Sequence, residues 1–175
     1  MPGSVDARVV LRRVQELGRE LRARRLVYDA SQPPEDGGAL ARIHPAITQA
    51  SARLFEDGHY ASAVLEAYKC LNNYVKKRTG LKGRDGTPLM EEAFRRHNPR
   101  LRLNALKSES EGDEQEGYQR IYAGVMLGIR NPRGHETDWL DSRDAAVELL
   151  VLASHLYTRV EAATRCRRRR KPASP

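Results

Sequence analysis

Apolar residues recur every three or four positions along most of this chain, which is the spacing of one face of an α-helix. The longest pattern predicts a helix from about Tyr60 to Arg78, with an apolar stripe of Tyr60, Val64, Ala67, Tyr68, Leu71 and Val75. Its last turn is basic and Gly80 supplies the stop. An earlier helix is predicted to begin at His44-Pro45 and end at Asp57-Gly58, with an apolar face of Ile47, Ala50, Leu54 and Phe55.

Two more helices follow from local signals. Thr87-Pro88 provides an N-cap and a proline at the first helical position, which predicts a short helix through Leu89, Met90, Ala93 and Phe94. Asp141 and Asp144 place acid at the start of the last helix. Its apolar surface is too wide for one stripe, so we expect it to be central in a bundle or buried in a homodimer; it comprises Val147, Leu149, Leu150, Val151, Leu152, Ala153, Leu156 and Val160.

The pattern weakens between Asn98 and Gly117. Three leucines alternate loosely and residues 108–116 are polar and acidic, so we expect mostly irregular structure there, at most a short strand and an exposed loop. A helix is then predicted to run up to Arg130, with an apolar run of Tyr118, Ile121, Tyr122, Val125, Met126 and Ile129. Because Pro132 lacks an N–H, we expect Arg130 at the helix C-terminus and His135 on the following turn.

These elements predict an all-α protein arranged as a helical bundle, with four segments. Residues 1–30 contain an amphipathic helix over 5–27, which either forms a short dimerising coiled coil or packs on its own domain. Two prolines and two glycines mark a linker over 31–42. The helical domain covers 43–164, and residues 165–175 form a basic tail that we expect to be disordered.

The net charge of +8 is concentrated in that tail. Six of its residues are positive, so removing it leaves 8 − 6 = +2 for the rest of the chain. The tail either binds nucleic acid or only keeps the protein soluble. Its candidate nucleic-acid contacts are Arg167, Arg168, Arg169, Arg170 and Lys171.

Several other classes of chemistry have little support. The two cysteines, Cys70 and Cys166, lie far apart and no apolar leader precedes the domain, so we expect a cytoplasmic protein. No apolar run approaches the length of a membrane span. The five histidines are scattered, so we expect no metal and no cofactor. Cys70 falls beside core positions, and the glycines at 80, 83 and 86 follow no strand, which favours a turn over a phosphate loop.

Candidate chemistry centres on residues 130–135, Arg-Asn-Pro-Arg-Gly-His. Metal-independent RNA cleavage needs a group that moves protons near neutral pH and a cation beside the phosphorane, which suits His135 and Arg130. Asn131 either orients this pair or simply ends the helix. Arg133 either holds a neighbouring phosphate or points into solvent. The spacing alone is also typical of an arginine that satisfies the last helix carbonyls.

The order of motifs resembles the Ymh-type proteins of prophages and bacteria, in the HEPN superfamily. The resemblance covers roughly 43–163. The matching positions are His44-Pro45, the start of the helix at Tyr60-Ala61-Ser62-Ala63-Val64, Asp85-Gly86, Leu89-Met90, Ala93-Phe94, Leu103-Asn104, Gly117, Gly124, Arg130-Asn131-Pro132 with His135-Glu136, and Leu152-Ala153-Ser154. Gly134 sits where a small residue, often alanine, is usual in this branch.

The resemblance implies an up-and-down bundle that dimerises with the motif helices of two protomers facing each other. It implies a metal-independent endoribonuclease, a toxin or phage-defence (abortive infection) effector, that leaves 2′,3′-cyclic phosphate and 5′-hydroxyl ends. Arg130, His135 and Asn131 map onto the catalytic positions, and an antitoxin or regulatory protein is a possible partner besides RNA. Inactive members act as binding modules, which leaves a non-catalytic nucleic-acid- or nucleotide-binding dimer as the alternative. A third hypothesis is a protein-interaction adaptor that uses the 5–27 helix.

Overall fold

The computed structural model describes Glu16, residues 42–136 and residues 138–166. The predicted N-terminal helix apart from Glu16, the linker before residue 42 and the basic residues 167–171 lie outside this description. The described part is all-α, apart from two strands of two residues each. The predicted fold class is therefore confirmed, and the described helices pack around one hydrophobic core.

The first two helices form as the sequence predicts. Helix α1 spans Pro45–Glu56, and the His44 ring accepts a hydrogen bond from the Ala46 N–H as its N-cap. Helix α2 spans Tyr60–Thr79 and ends at Gly80, which adopts the left-handed conformation that glycine tolerates best. The predicted stripe of α2 is buried except for the half-buried Tyr60.

Helix α3 spans Gly86–Phe94, with Asp85 at the N-cap position instead of the predicted Thr87. Its four predicted core residues are fully buried. After α3 the chain forms β1, Leu101–Arg102, which pairs antiparallel with β2, Thr164–Arg165. Strand β2 places Arg165 in the fold, so the prediction that the tail begins at 165 is wrong by at least one residue.

The predicted acidic loop is helical. Helix α4 spans Glu109–Val125, and the Ser108 hydroxyl caps it by accepting from the Glu111 N–H at 3.2 Å. Glu111 in turn accepts from the Lys107 N–H, so the start of α4 resembles a capping box. Inside α4 the fully buried Gln115 side chain bonds the backbone of Phe94, Leu101 and Leu103 at 2.9–3.0 Å, which fixes the α3–β1 connection to the helix.

The helix does not end at Arg130 as predicted. After Val125 it widens into a π-helical turn, Met126–Arg130, and continues as α5, Asn131–His135. The Asn131 N–H bonds to the Met126 carbonyl, five residues back. Pro132 thereby falls at the second position of a new α-helix, where its missing N–H costs little. His135 therefore lies on a helix, in the last turn of α5, and not on a loop.

Helix α6 spans Arg143–Ala162 and is capped by the Ser142 hydroxyl, which accepts from the Ala145 N–H. One face of α6 is buried against α2 and α1, while Val151 is exposed. The Tyr68 hydroxyl of α2 donates to the Leu149 carbonyl, and the Tyr122 hydroxyl of α4 donates to the Leu156 carbonyl. These two bonds join α6 to α2 and to α4.

Candidate functional site

The motif at residues 130–135 lies where the π-helical turn meets α5. Helix α5 packs against α2 closely enough that a Cβ on Gly134 would lie 3.7 Å from Leu65 Cδ1. π-Helical turns inside longer helices occur frequently at functional sites, because they change the direction in which side chains project. Here the turn decides where Arg130 points relative to the residues of α5.

Arg130 is held by two partners and keeps part of its guanidinium accessible. Its Nη1 donates to Asn131 Oδ1 at 3.1 Å, and its Nη2 lies 3.6 Å from Asp85 Oδ2. Its Nε is buried and has no hydrogen-bond partner. Since the side chain is 26% exposed, the guanidinium retains donors for an anionic ligand. This bond joins Asn131 to Arg130, one member of the pair that Asn131 is predicted to orient, and that role stays a prediction.

Asp85 also belongs to the site. In the sequence it stands out only as one of the positions that match the Ymh-type family. The Asn72 amide donates to Asp85 Oδ1 at 2.7 Å, and Lys76 Nζ lies 3.5 Å from the same oxygen. The Asn72 hydrogen bond, together with Lys76 and Arg130, keeps the pKa of the Asp85 carboxyl below its usual range. Asn72 is buried and its Oδ1 also accepts from the Gly86 N–H, so it anchors the start of α3. Asn72 directly follows Leu71 of the apolar stripe, and a polar residue on this buried side of α2 was the sequence signal that could have indicated Asp85.

His135 is exposed, and its ring forms no hydrogen bond with any described residue. It lies five positions after Arg130, which in an α-helix corresponds to about 140° around the axis and about 7.5 Å along it. The two side chains therefore project from different sides of the helix. One copy of the chain does not bring the imidazole and the guanidinium together on one face.

Arg133 does not point into solvent, and that expectation is wrong. Its Nε and Nη2 donate to the two carboxylate oxygens of Asp141 at 2.6 and 2.5 Å, and its Nη1 donates to the Ile129 carbonyl. Trp139 covers the guanidinium, with its ring centroid 5.3 Å from the Arg133 Cζ. The arginine and aspartate side chains are only 6% and 8% exposed. Arg133 therefore has few donors left for a phosphate.

An open face runs along α4 and the π-helical turn. Ideal Cβ atoms on Gly124 and Gly128 would meet nothing within 4 Å. Gly124 and Gly128 are four residues apart, about one helical turn, so they lie close together on one side of the helix. Ile121 and Leu127 flank this line and are exposed. We call Ile121, Gly124, Leu127 and Gly128 the glycine face.

Other candidate chemistry receives no further support. Burial raises the pKa of the Cys70 thiol, whose Sγ approaches the Ala46 carbonyl at 3.6 Å, as a core cysteine would. Among the described residues, no three His, Cys, Asp or Glu side chains cluster in a way that could hold a metal ion. Within the same ranges, no helix has the length and apolarity that a membrane crossing requires.

The fold and the site thus define an all-helical protein that presents an Arg-x4-His motif across a π-to-α helix junction. Residues 41–160 match the family described as "Protein of unknown function (Hypoth_ymh)". Because this match covers more than half of the 175 residues, the chain belongs to that family, which confirms the Ymh resemblance. The comparison with curated proteins found no match. The comparison with solved structures likewise found none.

Proposed function

We propose that this protein is a metal-independent endoribonuclease of the HEPN type. In this proposal Arg130 and His135 act on the RNA, and Asn131 orients Arg130. The observation that carries the proposal is the contrast within the motif. Arg130 is oriented by Asn131 and Asp85 but keeps an accessible edge, while His135 is exposed without a described partner. The polar groups of these two side chains are not fully used in contacts within the protein, so they are available to a substrate.

The chemistry follows from the two side-chain types. The RNA 2′-oxygen attacks the adjacent phosphorus as its proton is removed, and the 5′-oxygen leaves as it is protonated, which yields a 2′,3′-cyclic phosphate and a 5′-hydroxyl. Neutral imidazole removes a proton and imidazolium donates one near neutral pH. The Arg130 guanidinium stabilises the negative charge that builds on the phosphorane oxygens. No metal takes part in this scheme.

A second copy of the chain completes the site. Arg130 and His135 project about 140° apart on one helix, so a facing motif would supply an imidazole where a single copy does not. The glycine face supports this arrangement because glycines let two helix backbones approach closely, and because exposed Ile121 and Leu127 provide apolar contact area. Trp139 and the 90% exposed Leu140 extend the apolar surface beyond α5.

The test is RNA cleavage in EDTA by the purified full-length protein. We expect 5′-hydroxyl ends from the wild type, and a loss of about 10²-fold or more in the rate for Arg130→Ala and for His135→Ala. The matched controls are Arg53→Ala and His59→Ala, two exposed side chains on the α1 side of the bundle. They should cleave like the wild type. Intact RNA with every variant would refute the nuclease proposal.

The separation of Arg130 and His135 in one copy favours one alternative, a non-catalytic module that binds nucleic acid or a nucleotide. It predicts RNA binding without cleavage, and binding that falls with salt. A deletion of residues 167–175 would measure the share of the basic tail, including Arg167, Arg168, Arg169, Arg170 and Lys171. The deletion starts at 167 because Arg165 belongs to β2 and the Cys166 N–H bonds to the Arg100 carbonyl at 2.8 Å.

In the cell, such a nuclease would act as a toxin or a phage-defence effector, restrained by a partner protein. This role rests on the HEPN part of the resemblance. Co-expression growth assays with Arg130→Ala and His135→Ala would test it, since only the wild type should arrest growth.

A further inference from the structure

We propose that Lys76 is a second phosphate-binding cation of this site, so that Lys76 and Arg130 together hold the phosphodiester backbone of the RNA. The inference deepens the proposed nuclease function and rests on it. It moves RNA recognition within the described domain from Arg133, whose guanidinium is consumed by Asp141, to the last turn of α2.

The first step is the position of Lys76. It lies in the basic last turn of α2, and its Nζ is 3.5 Å from Asp85 Oδ1. Arg130 Nη2 approaches the other oxygen of the same carboxylate, at 3.6 Å. Two cations from separate elements therefore converge on one carboxylate. The net charge of Lys76, Arg130 and Asp85 together is +1, so the cluster attracts an anion.

The second step is the looseness of these contacts. Both exceed the usual hydrogen-bond distance of about 2.7–3.2 Å, whereas the Arg133–Asp141 bonds are 2.5 and 2.6 Å long. Lys76 is 43% exposed, so its ammonium can turn towards a ligand. Exposed ion pairs of this kind contribute little free energy, so a phosphate contact can replace them.

The third step is that Asp85 does not depend on either cation for its position. The Asn72 amide holds its Oδ1 at 2.7 Å, and Asn72 is itself buried. When Lys76 and Arg130 turn to a phosphate, the carboxylate stays in place between them. Asp85 is thus a positioning residue and not a ligand.

The fourth step is the charge of the adjoining loop between α2 and α3. Lys82 and Arg84 are exposed, and neither forms an ion pair with a described residue. Arg84 directly precedes Asp85 in sequence and Lys82 lies two positions before Arg84, so positive charge continues from Lys76 towards the start of α3. A polyanionic strand fits such a surface better than a single small anion does.

Binding measurements test this inference separately from catalysis. The probe is a single-stranded RNA oligonucleotide with a 2′-O-methyl group at every nucleotide, which lacks the attacking hydroxyl. Full-length His135→Ala protein is titrated with it at several salt concentrations. Adding Lys76→Gln should weaken binding about fivefold and reduce the salt slope by about 0.7, the value for one lost contact to a single strand.

Lys69→Gln is the matched control. Lys69 lies two turns earlier on α2, is 44% exposed and pairs with one carboxylate, that of Glu66. It should leave both affinity and salt slope unchanged, and Lys76→Arg should restore most of the binding. Equal affinities for Lys76→Gln and Lys69→Gln, with RNA still cleaved by the wild-type protein, would overturn the role of Lys76 alone. Absence of both binding and cleavage would overturn the nuclease proposal as well.

Discussion

Arg133 and Arg130 lie three residues apart in one motif, yet their surroundings are opposite. Arg133 is 6% exposed, bonds both oxygens of Asp141 and a backbone carbonyl, and is covered by Trp139. Arg130 has one firm bond, a distant carboxylate and a buried Nε without a partner. The first guanidinium is part of the fold, and the second retains hydrogen-bonding capacity for a ligand.

The comparison teaches that the charges of a motif have to be judged by their partners. Arg133 fixes the connection from α5 to α6, because Asp141 directly precedes the Ser142 cap of α6. That connection positions the helix on which His135 lies. The buried Arg133 thus supports the position of the more accessible Arg130. The two residues should therefore respond differently to substitution.

The largest difference should appear in stability. Arg133→Ala leaves the buried Asp141 carboxylate unpaired, so we expect the free energy of unfolding to fall by about 3–5 kcal/mol. Arg130→Ala should lower it by less than about 1 kcal/mol, because its contacts are loose and partly exposed. Urea denaturation followed by circular dichroism measures both. Similar losses for the two variants would contradict the comparison.

The Trp139 ring that covers Arg133 should contribute less to stability than the ion pair of Arg133 and Asp141 does. Trp139→Leu removes the cation–π contact and the 3.4 Å bond from Nε1 to Asp141, and should cost about 1 kcal/mol. Trp139 is the sole tryptophan of the chain, so its fluorescence also reports on this contact. We expect Asp141→Asn to shift the emission, while Arg130→Ala leaves it unchanged. An unshifted spectrum in Asp141→Asn would show that Trp139 does not sense the pair.

The glycine face should tolerate added methyl groups. Gly128→Ala should raise the stability of one copy by about 0.5–1 kcal/mol, since alanine is the better helix former and nothing lies within 4 Å. If a second copy packs on the glycine face, the same change weakens self-association. Analytical ultracentrifugation measures this, with Gly134→Ala as the control, because Gly134 faces Leu65 of its own bundle. Unchanged association would contradict a dimer through this face.

The smallest effect concerns pH. Because the pKa of Asp85 is lowered in the fold, its contribution to stability is present at neutral pH and declines as the pH falls below the ordinary carboxyl value of 3.8 and through the lowered folded value. Asp85→Asn removes this dependence. The stability difference between wild type and variant should therefore shrink between pH 6 and pH 3 in urea titrations. A difference that stays constant with pH would argue against the lowered pKa.

Periodicity was sufficient to predict the helices whose apolar stripes face the core. The stripe of α2 and the core residues of α3 are buried as predicted, and glycine stop signals mark the right places. The loop predicted before Gly117 is wrong because apolar spacing ignores capping. Ser108 and Glu111 have the Ser-x-x-Glu pattern of a helix start, which outweighs the lack of an apolar stripe.

The site was less predictable, because it depends on contacts that no local pattern encodes. Pro132 indicated a helix end, but the π-helical turn absorbs it by bonding Asn131 to a carbonyl five residues back. Asp141 was interpreted as a helix-dipole acid, yet it pairs with Arg133 across a turn. Only the arrangement of helices brings Asp85 to Arg130. Sequence identified the motif, while tertiary contacts determine which of its charges are available.

The two tyrosine bonds to α6 have a mechanical consequence. Leu149 and Leu156 are seven residues apart, so their carbonyls lie on one side of α6, about 10 Å apart along its axis. The hydroxyls of Tyr68 and Tyr122 bind α6 at these two points. Burial raises the pKa of both phenols, which keeps them protonated as donors. Sliding α6 along its axis would break both bonds at once. A rearrangement that moves α6 together with α2 and α4 keeps both bonds, whereas one that slides α6 alone loses both.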